Sequence, residues 1–452
     1  MSSLDDSFIT WLNRPYLDLG PYNGGARHVH GIEFSYHNLV DGVSIPDGSI
    51  IVNPVTILHP TSFRDSLIRE TRLYQYQVSN PLQLADELRT DKWHILCNYL
   101  THYQELQPTT KLRVINLLSN LCLHHAVLEY VPEMSELEIA NSSTLATLAH
   151  CRAMSNLMSQ PDAGTLDNLK EFETIANHAP LDSKVRFGVA IELVIFSAKT
   201  FGNLKAAEFW KSIATQEIAR LKPTLNDFSY KYLLSIYHRA VVFVPLLQKD
   251  RETVVREMDL CQSLAEDLIR EYKNEVEQIA AYENLSTVFE SRTKEALWLG
   301  DIDLAEERAK KLTQMEPLDP RYRLELGEIL IKQGKIEEAA KMYRSAARLG
   351  PPGTAIAWFM AGQCHEKLGE LDIACDCYLA SVRMDSLAIS AVERLNNLAP
   401  RLGNSAILNW SNMRLLQLQE QQKIIANQSR TSDIPEASSE LKKAGEKALA
   451  QI

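Results

Sequence analysis

His28, His30 and His37 are the residues in this chain that come nearest to a metal site. In an extended strand, side chains two apart share a face, so His28 and His30 could hold one ion, with Glu33 or His37 completing the shell. Two histidines without fixed further ligands specify no metal, and ordinary surface histidines explain the pattern more simply. His124 and His125 are adjacent on a predicted helix and diverge by about 100°, which makes them poor co-ligands. Cys375 and Cys377, two apart on a predicted helix, point to nearly opposite sides, so neither a disulfide nor a shared metal is expected. His365-Glu366 lacks the second histidine of a zinc-protease helix. There is no G-x-S-x-G elbow, no P-loop and no G-x-G-x-x-G, and the GPYNGG run from Gly20 to Gly25 has the wrong spacing for one. Arg64, Arg69 and Arg72 with Glu70 read as a solvated helix face. Nothing assembles a nucleophile, a base and an oxyanion hole, and no cofactor is implied.

The elements that would carry these groups change along the chain. Over residues 1–81, Pro15, Pro21, Pro46, Pro54, Pro60 and Pro81 punctuate short alternating runs such as Ile32–Tyr36 and Ser49–Val52. These read as an irregular, partly β module of short strands and turns. From 82 the apolar period becomes helical: Leu84, Leu88, Ile95, Leu96, Tyr99 and Leu100 share a stripe with Trp93 beside it. Thr109-Thr110 offers a cap for the next helix. Further helices are predicted near 134–158, 164–178, 182–201, 204–220, 226–247, 250–273 and 276–299. Their short connections make consecutive helices antiparallel neighbours. Residues 82–285 thus read as hairpins with degenerate repeats, and 428–452 as a polar tail.

Bulk properties narrow the classes. At 452 residues the chain exceeds one typical core, so several domains or one elongated solenoid are expected. A net charge of −11 argues against non-specific binding to phosphate backbones. The seven cysteines are odd in number and sit mostly in apolar, helix-like stretches, the pattern of free core thiols in a reducing compartment. No apolar run approaches the roughly 18 to 20 residues of a membrane span, and Met1–Asp6 carries no basic leader. A cytoplasmic protein that meets neither membrane nor nucleic acid is expected.

Four corners recur near the C-terminus: Gly300, Gly334, Gly369 and Gly403, with steps of 334−300 = 34, 369−334 = 35 and 403−369 = 34 residues. Five positions after the first three corners sit Ala305, Ala339 and Ala374; nine after sit Ala309, Tyr343 and Tyr378. Small residues let two helices cross closely. Glycine at the corner takes the left-handed conformation that ends the first helix. Tyr343 and Tyr378 are expected to fill the wedge between successive hairpins. Thr200–Ala207 carries a degenerate version of the same corner.

This pattern resembles the tetratricopeptide repeat family over roughly 286–388, with 389–415 as an atypical last unit and 286–427 in all as repeats plus a capping helix. In that capping helix Ile407, Leu408, Trp410, Met413, Leu415 and Leu416 are suited to covering the apolar end of the stack. The resemblance implies a mainly α fold, an α-solenoid of antiparallel hairpins, and recognition of a protein or peptide in a concave groove lined by the first helix of each hairpin. Carried over by position, the groove holds Glu290, Lys294 and Trp298; Arg321, Leu324, Glu325, Glu328 and Ile331; and Ile356, Phe359, Met360, Gln363 and Glu366. The family's carboxylate clamp is not reproduced, since its positions hold Glu290, Lys294, Glu325, Ile356 and Met360. A basic amphipathic segment is the expected ligand, and self-packing of the same apolar residues the competing explanation. A non-catalytic adaptor or scaffold follows. An accessory or regulatory subunit of an enzyme, and a metal-dependent enzyme using the N-terminal histidines, are the alternatives.

Overall fold

The computed structural model describes residues 36, 38–40, 80–89, 91–121, 123–159, 166–181, 183–272, 275–316, 319–349, 353–385 and 388–429. The expected short-strand module and its histidines His28, His30 and His37 lie outside the described residues. Of 1–81, the described Tyr36 and Asn38–Val40 are helical, and no strand occurs among the described residues. Two compact units divide the described residues, one running to Arg308 and the other beginning at Ala309.

In the first unit the helical pattern begins later than its stripe suggests. Pro81–Gln83 and Asp86–Leu88 are separate 3-10 turns, and the first α-helix, α1, is Asp91–Thr101. Asn80 explains the break: its side chain caps the first turn by accepting from Leu82 N at 3.0 Å. Leu84, Trp93, Leu96 and Leu100 are still buried, whereas Ile95 is exposed. Helix α2, Pro108–Asn120, starts before the expected threonine cap, because proline at the first position needs no donor partner. α3 (His124–Tyr130), α4 (Ser143–Ser159), α5 (Leu166–His178) and α6 (Lys184–Ile195) follow.

The helix predicted over 182–201 ends in a single π turn, Phe196–Thr200, which sets Phe196 and Phe201 against the core around Phe172, Leu193 and Trp210. Asn203 then caps α7 (Leu204–Leu221) by accepting from Ala206 N at 3.1 Å. The stretch predicted as one helix over 226–247 is two, α8 (Asp227–Val241) and α9 (Phe243–Gln248). Pro245 supplies no N–H for the Val241 carbonyl, so the chain restarts with proline in a first turn.

α10 (Arg251–Glu271) shows sequence becoming packing most directly. Asp250 caps it through Thr253 N at 3.1 Å, and Val254, Met258, Cys261, Ala265 and Leu268 form a stripe of buried residues at helical spacing. Burying each of its larger members stabilises by roughly 1.5 to 3 kcal/mol. α10 runs antiparallel to α8, with Ser235 opposite Cys261 and His238 opposite Glu257. It is also antiparallel to α11 (Glu275–Leu299), with Leu268 near Ala281 and Asp259 against Arg292.

α12 (Ile302–Met315) contains the division between the units. In the second unit α13 (Pro320–Lys332), α14 (Ile336–Leu349), α15 (Thr354–Lys367), α16 (Leu371–Met384), α17 (Ile389–Leu398) and α18 (Ser405–Ser429) pack in chain order as neighbours. The corners adopt the expected left-handed backbone, with φ +76° at Gly334, +78° at Gly369 and +64° at Gly403. None of the described helices is long and apolar enough to cross a membrane.

Candidate partner-binding surface

Two ring-into-glycine contacts set the hairpins. Tyr343 on α14 lies so close to Gly327 on α13 that a β-carbon there would stand 2.7 Å from its Cζ. On the next hairpin Tyr378 of α16 covers Gly362 of α15, where a β-carbon would stand 2.6 Å from Cε1. The tyrosines were expected between successive hairpins; each instead seats within its own, because only glycine leaves space for a ring against the helix backbone. Burial raises the pKa of both phenols, and for Tyr378 the hydrogen bond it donates to Glu366 (2.9 Å) raises it further.

This packing fixes which residues of the first helices stay accessible. On α15 the residues Ala357, Ala361, Gly362, Cys364 and His365 are buried, while Ile356, Met360 and Gln363, at helical spacing, are half-buried. Phe359 is turned to the core: its ring lies 5.6 Å from that of Tyr378 and joins the cluster of Val382 and Leu395. On α13, Leu324 packs with Trp358 against Ala346, Ala347 and Ala357. Arg321 is folded back on Asp319, with Nε 3.0 Å from Oδ1 and Nη2 2.5 Å from Oδ2.

Charge on this face is largely answered from within. Glu328 pairs with Lys332 at 3.0 Å, an exposed pair of small net worth. Glu366 accepts from Tyr378 and from Arg401 Nη1 at 3.4 Å, with Arg394 Nη1 at 3.8 Å. His365 places Nδ1 2.6 Å from Glu370 Oε2 and serves the corner after α15. The capping helix divides likewise. Ile407, Trp410 and Leu415 pack on the end cluster, but Met413 and Leu416, expected to cover it, are 61% and 67% exposed.

Glu290, Lys294 and Trp298 belong to the other unit. Lys294 pairs with Glu290 one turn away. Trp298 packs in the cluster of Val242, Val254 and Met258, beneath the Arg251 guanidinium 5.9 Å from its ring. No sequence signal marked Asp319 as the partner of Arg321, or the ring contact that claims Phe359. No group of three or more metal-ligating side chains occurs among the described residues.

Residues 294–353 and 330–388 match the family model described as tetratricopeptide repeat. No curated protein matches the chain. Among solved structures, the APC/C hetero-tetramer Cut9-Hcn1 is similar over 86% of this chain and 84% of that one, at 12% identity and a TM-score of 0.26. A monomeric mutant of IFIT1 with Gppp-AAAA is similar over 91% and 78%, at 14% identity and a TM-score of 0.30.

Proposed function

This chain is a tetratricopeptide-repeat protein over residues 294–388, and from that premise we propose that it is a non-catalytic scaffold whose repeats hold a protein or peptide segment. The observation that carries the reading is the row Ile356, Met360 and Gln363, half-buried on the first helix of a repeat whose opposite face is closed by packing. Apolar side chains with one polar end suit an amphipathic segment. The chain's charge of −11 favours a basic one, although Glu328 and Glu366 are already paired.

The test uses the full chain and two labelled amphipathic peptides, one with lysine on its polar face and a twin with glutamate. The lysine peptide is expected to bind more tightly and to weaken with salt. Met360→Lys is expected to lower its affinity about tenfold, the scale of one lost apolar anchor, with far-UV circular dichroism unchanged. Equal binding of the glutamate twin would remove the charge preference, and undiminished binding by Met360→Lys would remove this face. Phe359→Glu is a poorer probe, since it would strain the contact with Tyr378.

A further inference from the structure

The apolar row on α15 ends in a charged cluster that the packing of the hairpins does not use up. Ile356, Met360 and Gln363 continue, one turn on, to the half-buried Glu366. Tyr378, on the second helix of the same hairpin, donates to Glu366 Oε2 at 2.9 Å. Two guanidiniums converge on that carboxylate from the next hairpin. Arg394 on α17 places Nη1 3.8 Å from Oε2, and Arg401, in the turn before α18, places Nη1 3.4 Å from Oε1.

Neither arginine makes another hydrogen bond or ion pair among the described residues. A guanidinium carries five N–H donors and fits a carboxylate through two parallel bonds, yet here the nearest nitrogens stand 3.4 Å and 3.8 Å away. The helix ends do not occupy them either. The carbonyls of Cys364, His365 and Glu366 accept from Leu368, Glu370 and Gly369 N, and that of Leu398 accepts from Leu402 N. Of the nearby charges, Glu370 is turned to His365 at 2.6 Å, and the exposed Lys367 and Glu393 are of opposite sign. Two guanidiniums thus share one carboxylate. Their side chains are 36% and 53% exposed, so a ligand lying along the row can reach both.

We propose that Arg394 and Arg401 receive an acidic side chain of the bound segment, an aspartate or glutamate set about 9 Å from the apolar group seated at Met360, the rise of the helix from Met360 to Glu366. The proposal rests on the groove reading and deepens it: the segment is basic along its flank and acidic at one end. As the guanidiniums turn to the ligand, Tyr378 keeps its bond to Glu366, so no carboxylate is left without a donor.

The probe is the lysine-faced peptide with a glutamate two helical turns, about 10 Å, to either side of its central apolar residue. It is compared with a twin carrying glutamine there, both titrated into the full-length protein. The glutamate peptide is expected to bind several-fold more tightly. The chain's net charge of −11 opposes that preference, so only a local site produces it. Arg401→Gln is expected to erase the preference by weakening the glutamate peptide to the level of its twin. Glu366→Gln removes the competing charge and can still accept from Tyr378, and it is expected to widen the preference, a gain that a loosened fold does not give. Equal affinity for the two peptides, with Met360→Lys still weakening both, overturns this inference alone. A preference that survives Arg394→Gln combined with Arg401→Gln overturns the assignment to these arginines. Failure of either peptide to bind overturns the groove reading and this inference with it.

Discussion

Gly362→Ala puts a number on the contact that shapes the second of the two ring-locked hairpins. The new β-carbon would stand 2.6 Å from Cε1, 2.8 Å from Cδ1 and 3.1 Å from Cζ of Tyr378. Relief requires the ring to slide by about 1 Å, to the carbon–carbon spacing of ordinary contact. The ring is poorly placed to slide, being fully buried, hydrogen-bonded to Glu366 at 2.9 Å and packed against Phe359. Overpacking of this kind costs about 1 to 3 kcal/mol, and replacing a mid-helix glycine with alanine returns about 1 kcal/mol. With the ring pinned, the cost falls in the upper part of that range, about 2 to 3 kcal/mol, and a net loss of about 1 to 2 kcal/mol is expected.

Gly334→Ala supplies the contrast. Its β-carbon meets nothing within 4 Å, but φ is +76°, so it should lose about 1 to 2 kcal/mol through backbone strain alone. Tyr378→Leu should therefore rescue Gly362→Ala, making the pair less damaging than the sum by about 1 kcal/mol or more, and leave Gly334→Ala unrelieved. Urea unfolding followed by circular dichroism gives the totals, and hydrogen exchange localises the loss to α15 and α16. An unaltered midpoint for Gly362→Ala, or strict additivity with Tyr378→Leu, would refute the reasoning.

Two further outcomes follow from ionisation. The hydrogen bond from His238 holds the Glu257 carboxyl below its ordinary value of 4.5. A carboxyl with a lowered folded pKa contributes stability that is present above pH 4.5 and is lost as pH falls through the folded value. Glu257→Gln should accordingly flatten the stability profile between pH 6 and pH 3, a window of about three units around that titration, and an unaltered slope would count against the pair. Burial pushes the Cys364, Cys375 and Cys377 thiols up to about 11. Iodoacetamide at about pH 8 should leave all three unlabelled in the native protein and label them in urea, because the thiolate is the reacting form. Rapid native labelling, read by mass spectrometry, would contradict their burial.

The repeat was legible because its signals are local. The left-handed corners at Gly334, Gly369 and Gly403 and the small Ala339 and Ala374 declare themselves by spacing alone. The same holds for α7 and α10, whose caps at Asn203 and Asp250 precede clear apolar stripes. Boundaries failed where a local competitor acted: the Asn80 cap split the stretch before α1, and Pro245 split α8 from α9. The surface was harder to read, because whether an apolar residue on a first helix is open depends on what the neighbouring hairpin brings. Phe359 and Met360 are adjacent and both apolar, yet Tyr378 takes Phe359 inward and leaves Met360 at the surface.

Because each tyrosine is seated in the glycine of its own hairpin, the fastening travels with the block that carries it. Copying or excising a stretch of 34 or 35 residues would leave that internal lock whole, and only the seams between blocks would have to be matched anew. An array assembled this way can lengthen or shorten in whole modules, with selection acting at the joints.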